Sequence, residues 1–500
     1  MAILNTQFYQ GEDGYSDGAI ERELLSIVKG NTGFDEVLRN DCRWPLFYHL
    51  SPLRENVFNW YSFDPNATLL EIGGGCGALT GLFCRKVKSV KTIELTKSRS
   101  DVNYERNKDF DNLEIIVGNF KNIQLQEQFD YIILNGVLEY AGSFIDGKTP
   151  YISFLEDIKK LLKPTGTLLL SIENRLGIKY LNGAVEDHTA QLFSGVNGYV
   201  GIDGVKTFSK EELKRLLKKA GFNAFDFYYP VPDYKFPEVI YAENHLEFMN
   251  NNIRNNAYNS NRLMFYDEDH MMESLKNEGI AESFFNSFIV EVHNDEKMES
   301  SRKTIYAKMG NDRKKEFQIL TKIEEDQNKE RSVCKFPMTE ESEKHLDEMK
   351  RYFADHENNH SLFENVSLNQ NCNGYSFSYI KGNTLEKQLL DDLKNNEFNT
   401  FKANLVQFKS EVLKDTFLSS DYCTKEFKTV FGDMKCDVEL HCKRNSNIDL
   451  IFPNIFVQDN RYYIIDYEWT FAFDIPQEYV VWRSLYFFYL ANDLVKKIYS

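Results

Sequence analysis

The sequence predicts an α/β fold in its first part and a smaller α+β domain in its second. Three observations carry that expectation. An apolar run, Leu69-Leu70-Glu71-Ile72, has the composition of a buried strand and breaks directly into Gly73-Gly74-Gly75-Cys76-Gly77, after which Ala78 to Val87 is helix-permissive. Strand and helix patterns keep alternating to about residue 294, as in a sheet with helical crossovers. Beyond Thr304 the order changes to a group of strands, a long helical stretch and a late strand pair before Asp466.

Composition sets the limits. A chain of 500 residues exceeds what one core serves, so two domains are expected. Apolar content of 42% and charged content of 27% are those of a globular protein. The net charge of −17 argues against a polyanion such as nucleic acid as the partner, while leaving room for a local basic pocket. The eight cysteines form no C-x-x-C pair and no zinc spacing, which suits a reduced, cytoplasmic protein. The start, MAILNTQFYQ, has no signal-peptide pattern, and no apolar run approaches the length of a membrane span. Tyr479 to Leu490 is the most apolar late segment and reads as a buried helix.

Residues 1–66 read as a lead-in, irregular at first, with helices over Glu21 to Val28 and Trp44 to Phe63; the latter either covers a ligand pocket or packs on the sheet edge. The first strand and its glycines follow. A strand that breaks into glycines and opens a helix lets backbone approach a ligand, with unpaired helix N–H groups beside it. Val90 to Ile93 is a second strand ending in Glu94, which lies 23 residues after Glu71. An acid about 20 residues on is placed to accept ribose hydroxyls, and a carboxylate can take two at once. Leu113 to Val117 is the third strand, before Gly118-Asn119-Phe120. Phe129 to Leu134 is the fourth, before Asn135-Gly136-Val137-Leu138-Glu139-Tyr140. A helix over Tyr151 to Leu162, a turn at Lys163-Pro164-Thr165-Gly166 and a strand over Thr167 to Ile172 come next. Ser209 to Ala220 is a helix with Ser209 and Glu212 at capping-box spacing. Phe222 to Pro230 and Phe284 to Val292 complete the strands. The stretches 173–208 and 231–283 are long polar insertions, of the kind that carry substrate recognition.

The pattern E-x-G-x-G-x-G over Glu71, Gly73, Gly75 and Gly77 resembles motif I of class I S-adenosylmethionine methyltransferases, and L-K-P-x-G-x-L-L-L resembles the turn into their fifth strand. The resemblance implies a Rossmann-like seven-stranded sheet over residues 67–294, with S-adenosylmethionine as cofactor. It implies that Asn119 bonds the adenine, that Phe120 stacks on it or belongs to the core, and that Asn135 and Gly136 border the methionine part. Glu139 is then catalytic or only stabilises its loop. ENRLGIKYLNG, EDHT and YYPVPDYKFP resemble segments of methyltransferases of bacterial surface-polysaccharide pathways, which implies a glycan or lipid-linked glycan acceptor, glycosyltransferases as partners and a place at the inner membrane face. A sugar hydroxyl needs a base. His188 is the first choice, with Asp187 or Glu186 as orienter; Glu139 and Glu173 are the second choices. The E-D-H run equally well structures a loop.

The charged stretch Asn294 to Arg302 marks the boundary to a domain over residues 295–500. There Asp449 and Asn454 have D-x-x-x-x-N spacing, and Asp466 follows the strand Tyr462 to Ile465. These resemble the catalytic loop and metal-binding acid of choline- and aminoglycoside-kinase relatives, which implies ATP and Mg²⁺, with Asn454 and Asp466 on the metal and Asp449 at the hydroxyl. Val333-Cys334-Lys335 resembles V-A-I-K, which makes Lys335 the ATP lysine, ahead of Lys308, with Glu348 as its ion-pair partner ahead of Glu341 and Glu343. Asn447-Ile448 replace the usual His-Arg, and Gly310 stands alone where three glycines are usual. A degenerate kinase-like docking module fits the sequence as well as an active kinase. The whole then reads as a methyltransferase fused to a kinase, or to a scaffold with a protein or small metabolite as methyl acceptor.

Overall fold

The β-branched and leucine-rich runs of the first part become the parallel strands of one sheet. The computed structural model describes the chain except residues 12, 14–17, 31–32, 146, 250–261, 295–301, 357–361, 372–373, 434–437, 460 and 500. It divides into two compact units, Met1–Met309 and Gly310–Ser500. The first holds β1 (Ile3–Asn5), β2 (Thr68–Ile72), β3 (Ser89–Glu94), β4 (Leu113–Val117), β5 (Phe129–Asn135), β6 (Leu162–Glu173), β7 (Ala224–Val231), β8 (Val239–Ala242), β9 (Ser287–His293) and β10 (Arg302–Met309). Their order is β1-β4-β3-β2-β5-β6-β9-β7-β8-β10.

Seven of these strands, from β4 to β7 in that order, form the expected sheet. β4, β3, β2, β5 and β6 are mutually parallel, and β9 enters antiparallel between β6 and β7. The chain leaves β2 toward β3 and β4, then returns to the other side of β2 as β5. That reversal makes the carboxyl ends of β2 and β5 the switch point, where such sheets hold ligands. The helices Pro150–Leu161 and Lys210–Lys219 bury Leu155, Ile158, Leu213 and Leu217 against Ile132, Leu134, Leu168, Leu170 and Val290 of the strands. Each such side chain contributes about 1.5–3 kcal/mol on burial. The capping box at Ser209 and Glu212 is present.

Several expectations are revised. Residues 3–5 are not irregular; they pair with Glu114 to Ile116 and extend the sheet. The insertion 231–283 is not only loop: β8 lies within it and pairs with β7, and Glu268–Asn277 is helical. β10, expected in the second domain, pairs with β8 and belongs to the first unit, so that unit runs past residue 294. Most of the expected boundary segment, 295–301, lies outside the described residues, as does 250–261 of the second insertion. Among the described residues Cys42, Cys76, Cys84, Cys334 and Cys442 are free.

The second unit carries an antiparallel sheet of Ile319–Asp326, Arg331–Pro337, Gly374–Ser378 and Leu368–Asn371, with the helix Glu343–His356 after its second strand. A second small sheet contains Ile455–Gln458 and Arg461–Ile464, and helices over 385–394, 398–412 and 477–491 pack around Phe408, Phe452 and Phe488. The helix Gln477–Ala491 is buried on one side only: Val480, Ser484 and Phe488 point inward while Trp482, Tyr486 and Leu490 are exposed. Among the described residues no helix is long and apolar enough to cross a membrane.

Candidate active site

The glycine turn after β2 is shaped by what surrounds it. Gly73 has φ of +78°, and a Cβ there would stand 2.5 Å from Val137 Cγ2, so any side chain is strained and obstructed. Gly75 has φ of +52°, with nothing within 4 Å of where its Cβ would be, so this backbone faces open space. The turn rests on buried polar groups. Thr80 Oγ1 donates to Glu71 Oε2 at 2.6 Å, Asn103 Nδ2 to Thr80 Oγ1 at 3.1 Å, and Asn107 Nδ2 to Asn103 Oδ1 at 2.9 Å. Burial pushes the Glu71 carboxyl up to about 7, against the lowering effect of Thr80. Glu71 thus braces the turn from beneath.

Glu94, at the end of β3, is buried and fixed by backbone: Gly75 N–H donates to its Oε2 at 2.8 Å and Thr96 N–H to its Oε1 at 3.0 Å. Beside it lies a cavity of about 640 Å³, a size that suits a cofactor. Gly73, Gly75, Glu94, Asn119, Phe120, Asn135 and Gly136 line it, and so does Glu71. Asn119 Oδ1 accepts from Lys121 N–H at 3.0 Å, and Phe120 packs edge-on against Phe154. Asn135 Oδ1 is buried with no hydrogen-bond partner. A buried amide oxygen left unpaired in a cavity wall asks for a donor from a ligand. Gly77 lies outside this lining, and its own Cβ position is filled by Asn103, so its part is the fold of the turn.

Tyr140, Asp187 and Lys235 also line the cavity, and Glu139, Glu173 and His188 gather one layer behind them. Lys235 Nζ donates to Glu173 Oε1 at 2.5 Å and to Asp187 Oδ2 at 2.7 Å, and Asp187 Oδ2 also accepts from Lys179 Nζ and Tyr180 Oη, each at 3.0 Å. His188 Nε2 stands 3.7 Å from Glu173 Oε2, and its Nδ1 is 3.3 Å from Tyr140 Oη. The partner of His188 is therefore Glu173, not the expected Asp187 or Glu186; Glu186 instead accepts from the His188 and Thr189 backbone N–H groups. Burial opposes the charge on His188, but Glu173 outweighs it and holds the imidazole up to about 9. Lys235 and His188 likewise outweigh burial at Glu173 and hold it well below the usual carboxylate range. Burial, then Glu173, pushes Glu139 up to about 8. Glu139, Glu173 and His188 offer one ligand atom each within 4.8 Å of one another, a spacing that a divalent cation would need to tighten. The protons held on Glu139 and His188 already balance that charge.

In the second unit Lys335 is buried between Asp466, 2.9 Å away, and Glu468. Arg313 Nη1 reaches the other oxygen of Glu468 at 2.6 Å. Glu468 thus occupies the place expected of Glu348, which is exposed. Burial, then Glu468, pushes Asp466 up to about 6, while Lys335 and Arg313 overcome burial and hold Glu468 down to about 2. Asp449 Oδ1 accepts from Arg483 Nη2 at 2.9 Å, and Asn454 Nδ2 donates to the Asp449 carbonyl at 3.0 Å. Lys308 lies on β10 in the first unit and takes no part.

Lys235, Arg54, Asn103 and Glu468 escaped the sequence reading. Lys235 lies within YYPVPDYKFP and Glu468 two residues after Asp466, whereas nothing near Arg54 or Asn103 marks them.

Comparison with known proteins bears on the first unit. Residues 46–225 match a family model described as a methyltransferase domain. A malonyl-[acyl-carrier protein] O-methyltransferase of Priestia megaterium is 27% identical over 162 residues, which are 32% of this chain and 54% of that protein. The chain thus spans about half the length of this curated relative. Among solved structures, phosphoethanolamine N-methyltransferase 1 of Haemonchus contortus, in complex with phosphoethanolamine and S-adenosylhomocysteine, aligns at 15% identity over 56% of this chain and 50% of that one, with a TM-score of 0.31. The N-methyltransferase NodS of Bradyrhizobium japonicum, in complex with S-adenosylhomocysteine, aligns at 15% identity over 55% and 99%, with a TM-score of 0.28. The family match, on a glycine turn backed by a fixed Glu94, makes residues 46–225 a class I S-adenosylmethionine-dependent methyltransferase domain.

Proposed function

We propose that the chain transfers a methyl group from S-adenosylmethionine to a hydroxyl of a sugar or phosphosugar of a bacterial surface glycan. The observation that carries the cofactor half is the cavity in which a prefixed Glu94 and an unpaired Asn135 Oδ1 share one wall with the open backbone of Gly75. In this reading Glu94 takes the ribose hydroxyls, Asn119 and Phe120 take the adenine, and Asn135 and Gly136 take the methionine end. The bound cofactor supplies a methyl already activated on sulfonium, so the protein mainly aligns donor and acceptor.

The acceptor would enter beside Tyr140, Asp187 and Lys235. Lys235 lies between Glu173 and Asp187 and is positioned by both. His188 carries its proton at neutral pH, so the buried Glu173–His188 pair serves to set the charge of that wall, and it takes up the acceptor proton only after losing its own. The sugar class rests on the likeness of the two insertions. The malonyl-[acyl-carrier protein] relative points instead to a carboxylate acceptor on a protein or small metabolite, and that alternative is kept.

For Gly310–Ser500 the reading is a kinase-like docking module. The groups that would hold ATP and Mg²⁺, Lys335, Asp466 and Asp449, are paired with Glu468, Arg313 and Arg483 of their own unit. The competing reading, an active kinase on the same glycan, requires ATP–Mg²⁺ to displace those pairs. Labelled S-adenosylmethionine, added with the full chain to a bacterial lysate, tests the acceptor. Label in the glycan fraction is expected; label confined to protein or small metabolites overturns the glycan assignment.

A further inference from the structure

Arg54 lies in the short turn Pro52–Glu55, is 3% exposed and lines the cavity. Its Nη1 donates to the Lys235 carbonyl at 2.8 Å and its Nη2 to Tyr48 Oη at 3.2 Å, while Nε is buried with no partner. Its Cζ stands 4.3 Å from the centroid of the Tyr48 ring and 5.8 Å from that of Phe236. Among the described residues no carboxylate pairs with it. Three other buried or half-buried arginines of this unit do have one: Arg99 has Glu21 at 2.7 Å, Arg175 has Glu212 at 2.6 Å and Arg262 has Glu268 at 2.5 Å; Arg106 is half-buried and, like Arg54, donates to a backbone carbonyl instead, that of His49 at 2.5 Å. His49, which also lines the cavity, is pushed down to about 3 by burial and then by Arg99, Arg54 and Arg106. Arg54 thus places an unpaired cation in this wall of the cavity, in a chain of net charge −17.

A buried charge without a counter-charge is costly, and aromatic faces compensate only part of it. A planar guanidinium held from two sides by a carbonyl and a hydroxyl is preorganised for the two oxygens of one anion. We infer that Arg54 anchors an oxyanion, a carboxylate or phosphate, of a ligand bound in the cavity. Two sources offer that chemistry: the amino-acid carboxylate of the cofactor, and an anionic group on the methyl acceptor. The assignment rests on the methyltransferase reading for the identity of its ligands, but not for the unpaired charge.

Titration calorimetry on the full chain separates the sources. Wild type, Arg54→Gln and Arg54→Lys are titrated with S-adenosylhomocysteine, with its decarboxylated analogue, and, once saturated with S-adenosylhomocysteine, with malonate and inorganic phosphate. If the cofactor is the source, Arg54→Gln weakens S-adenosylhomocysteine by about 30-fold or more and leaves the decarboxylated analogue as in wild type. If the acceptor is the source, S-adenosylhomocysteine binds unchanged and malonate or phosphate binding is lost. Either result supports the anchor. Equal losses for S-adenosylhomocysteine and its decarboxylated analogue, or no change with any probe, overturn it. Should Arg54→Gln fail to fold, Arg54→Lys decides: it keeps the charge but not the fork, and binding like wild type overturns the proposal. A wild-type chain that binds none of the probes overturns the methyltransferase reading as well, so the two failures are distinguishable.

Discussion

The cavity beside Glu94 in the first unit and the Lys335 cluster in the second treat polar groups in opposite ways. Around the cavity, Asn135 Oδ1 and Arg54 Nε are buried without partners, and Gly75 faces open space. Around Lys335, two carboxylates and a second cation close on one another, with Arg313 on one oxygen of Glu468 and Lys335 on the other. A wall that leaves polar atoms unpaired is completed by something else. A buried cluster that pairs all its charges is already complete, and removing one member leaves the others uncompensated. On the proposed reading, unpaired polar atoms mark a ligand site in one unit and paired charges an internal brace in the other.

The largest expected effect breaks the first half of that contrast. Gly73→Arg adds a side chain at positive φ against Val137, and binding of S-adenosylmethionine in calorimetry should fall below detection while the circular dichroism spectrum is kept. Next, Lys335→Met should destabilise the second unit by about 3–5 kcal/mol, read as a lower urea midpoint, and leave S-adenosylmethionine binding unchanged. If Lys335→Met is neutral in stability but abolishes ATP–Mg²⁺ binding, the second cluster is a ligand site after all.

A pH dependence follows from Glu71. Its folded-state pKa, about 7, lies above the ordinary value of 4.5. The folded state therefore holds a proton that the unfolded chain releases, and its stability falls as pH rises from 4.5 through 7, by up to about 3 kcal/mol. Urea midpoints of wild type should drop over that range, and those of Glu71→Gln should drop less. The smallest effect sharpens the role of Glu94. Glu94→Gln keeps one acceptor oxygen but loses the charge, and should weaken S-adenosylmethionine by about 1.5–3 kcal/mol in calorimetry.

The sheet was legible because parallel strands buried on both faces are largely apolar, and the runs at 69–72, 113–117 and 129–134 each hold a single acid, Glu71, Glu114 and Asp130, among apolar residues. The place of Glu94 at the end of β3 was legible from the strand pattern of 90–93. β10 was misread because strand pairing over so long a sequence distance leaves no local mark; nothing in Arg302–Met309 states that a neighbour is β8. The partner of His188 was hidden for a related reason. Asp187 is adjacent in sequence, but its side chain turns to Lys179 and Lys235, while Glu173 arrives from the end of β6. Arg54 carries no local signal at all, since what marks it is the absence of a carboxylate in three dimensions.

The most direct test is a crystal structure of the full chain grown with S-adenosylhomocysteine. The account predicts the nucleoside in the cavity beside Gly75, with both ribose hydroxyls donating to Glu94 and the amino-acid end at Asn135. Density for the ligand elsewhere, or a cavity closed by side chains with Glu94 turned away, would contradict it.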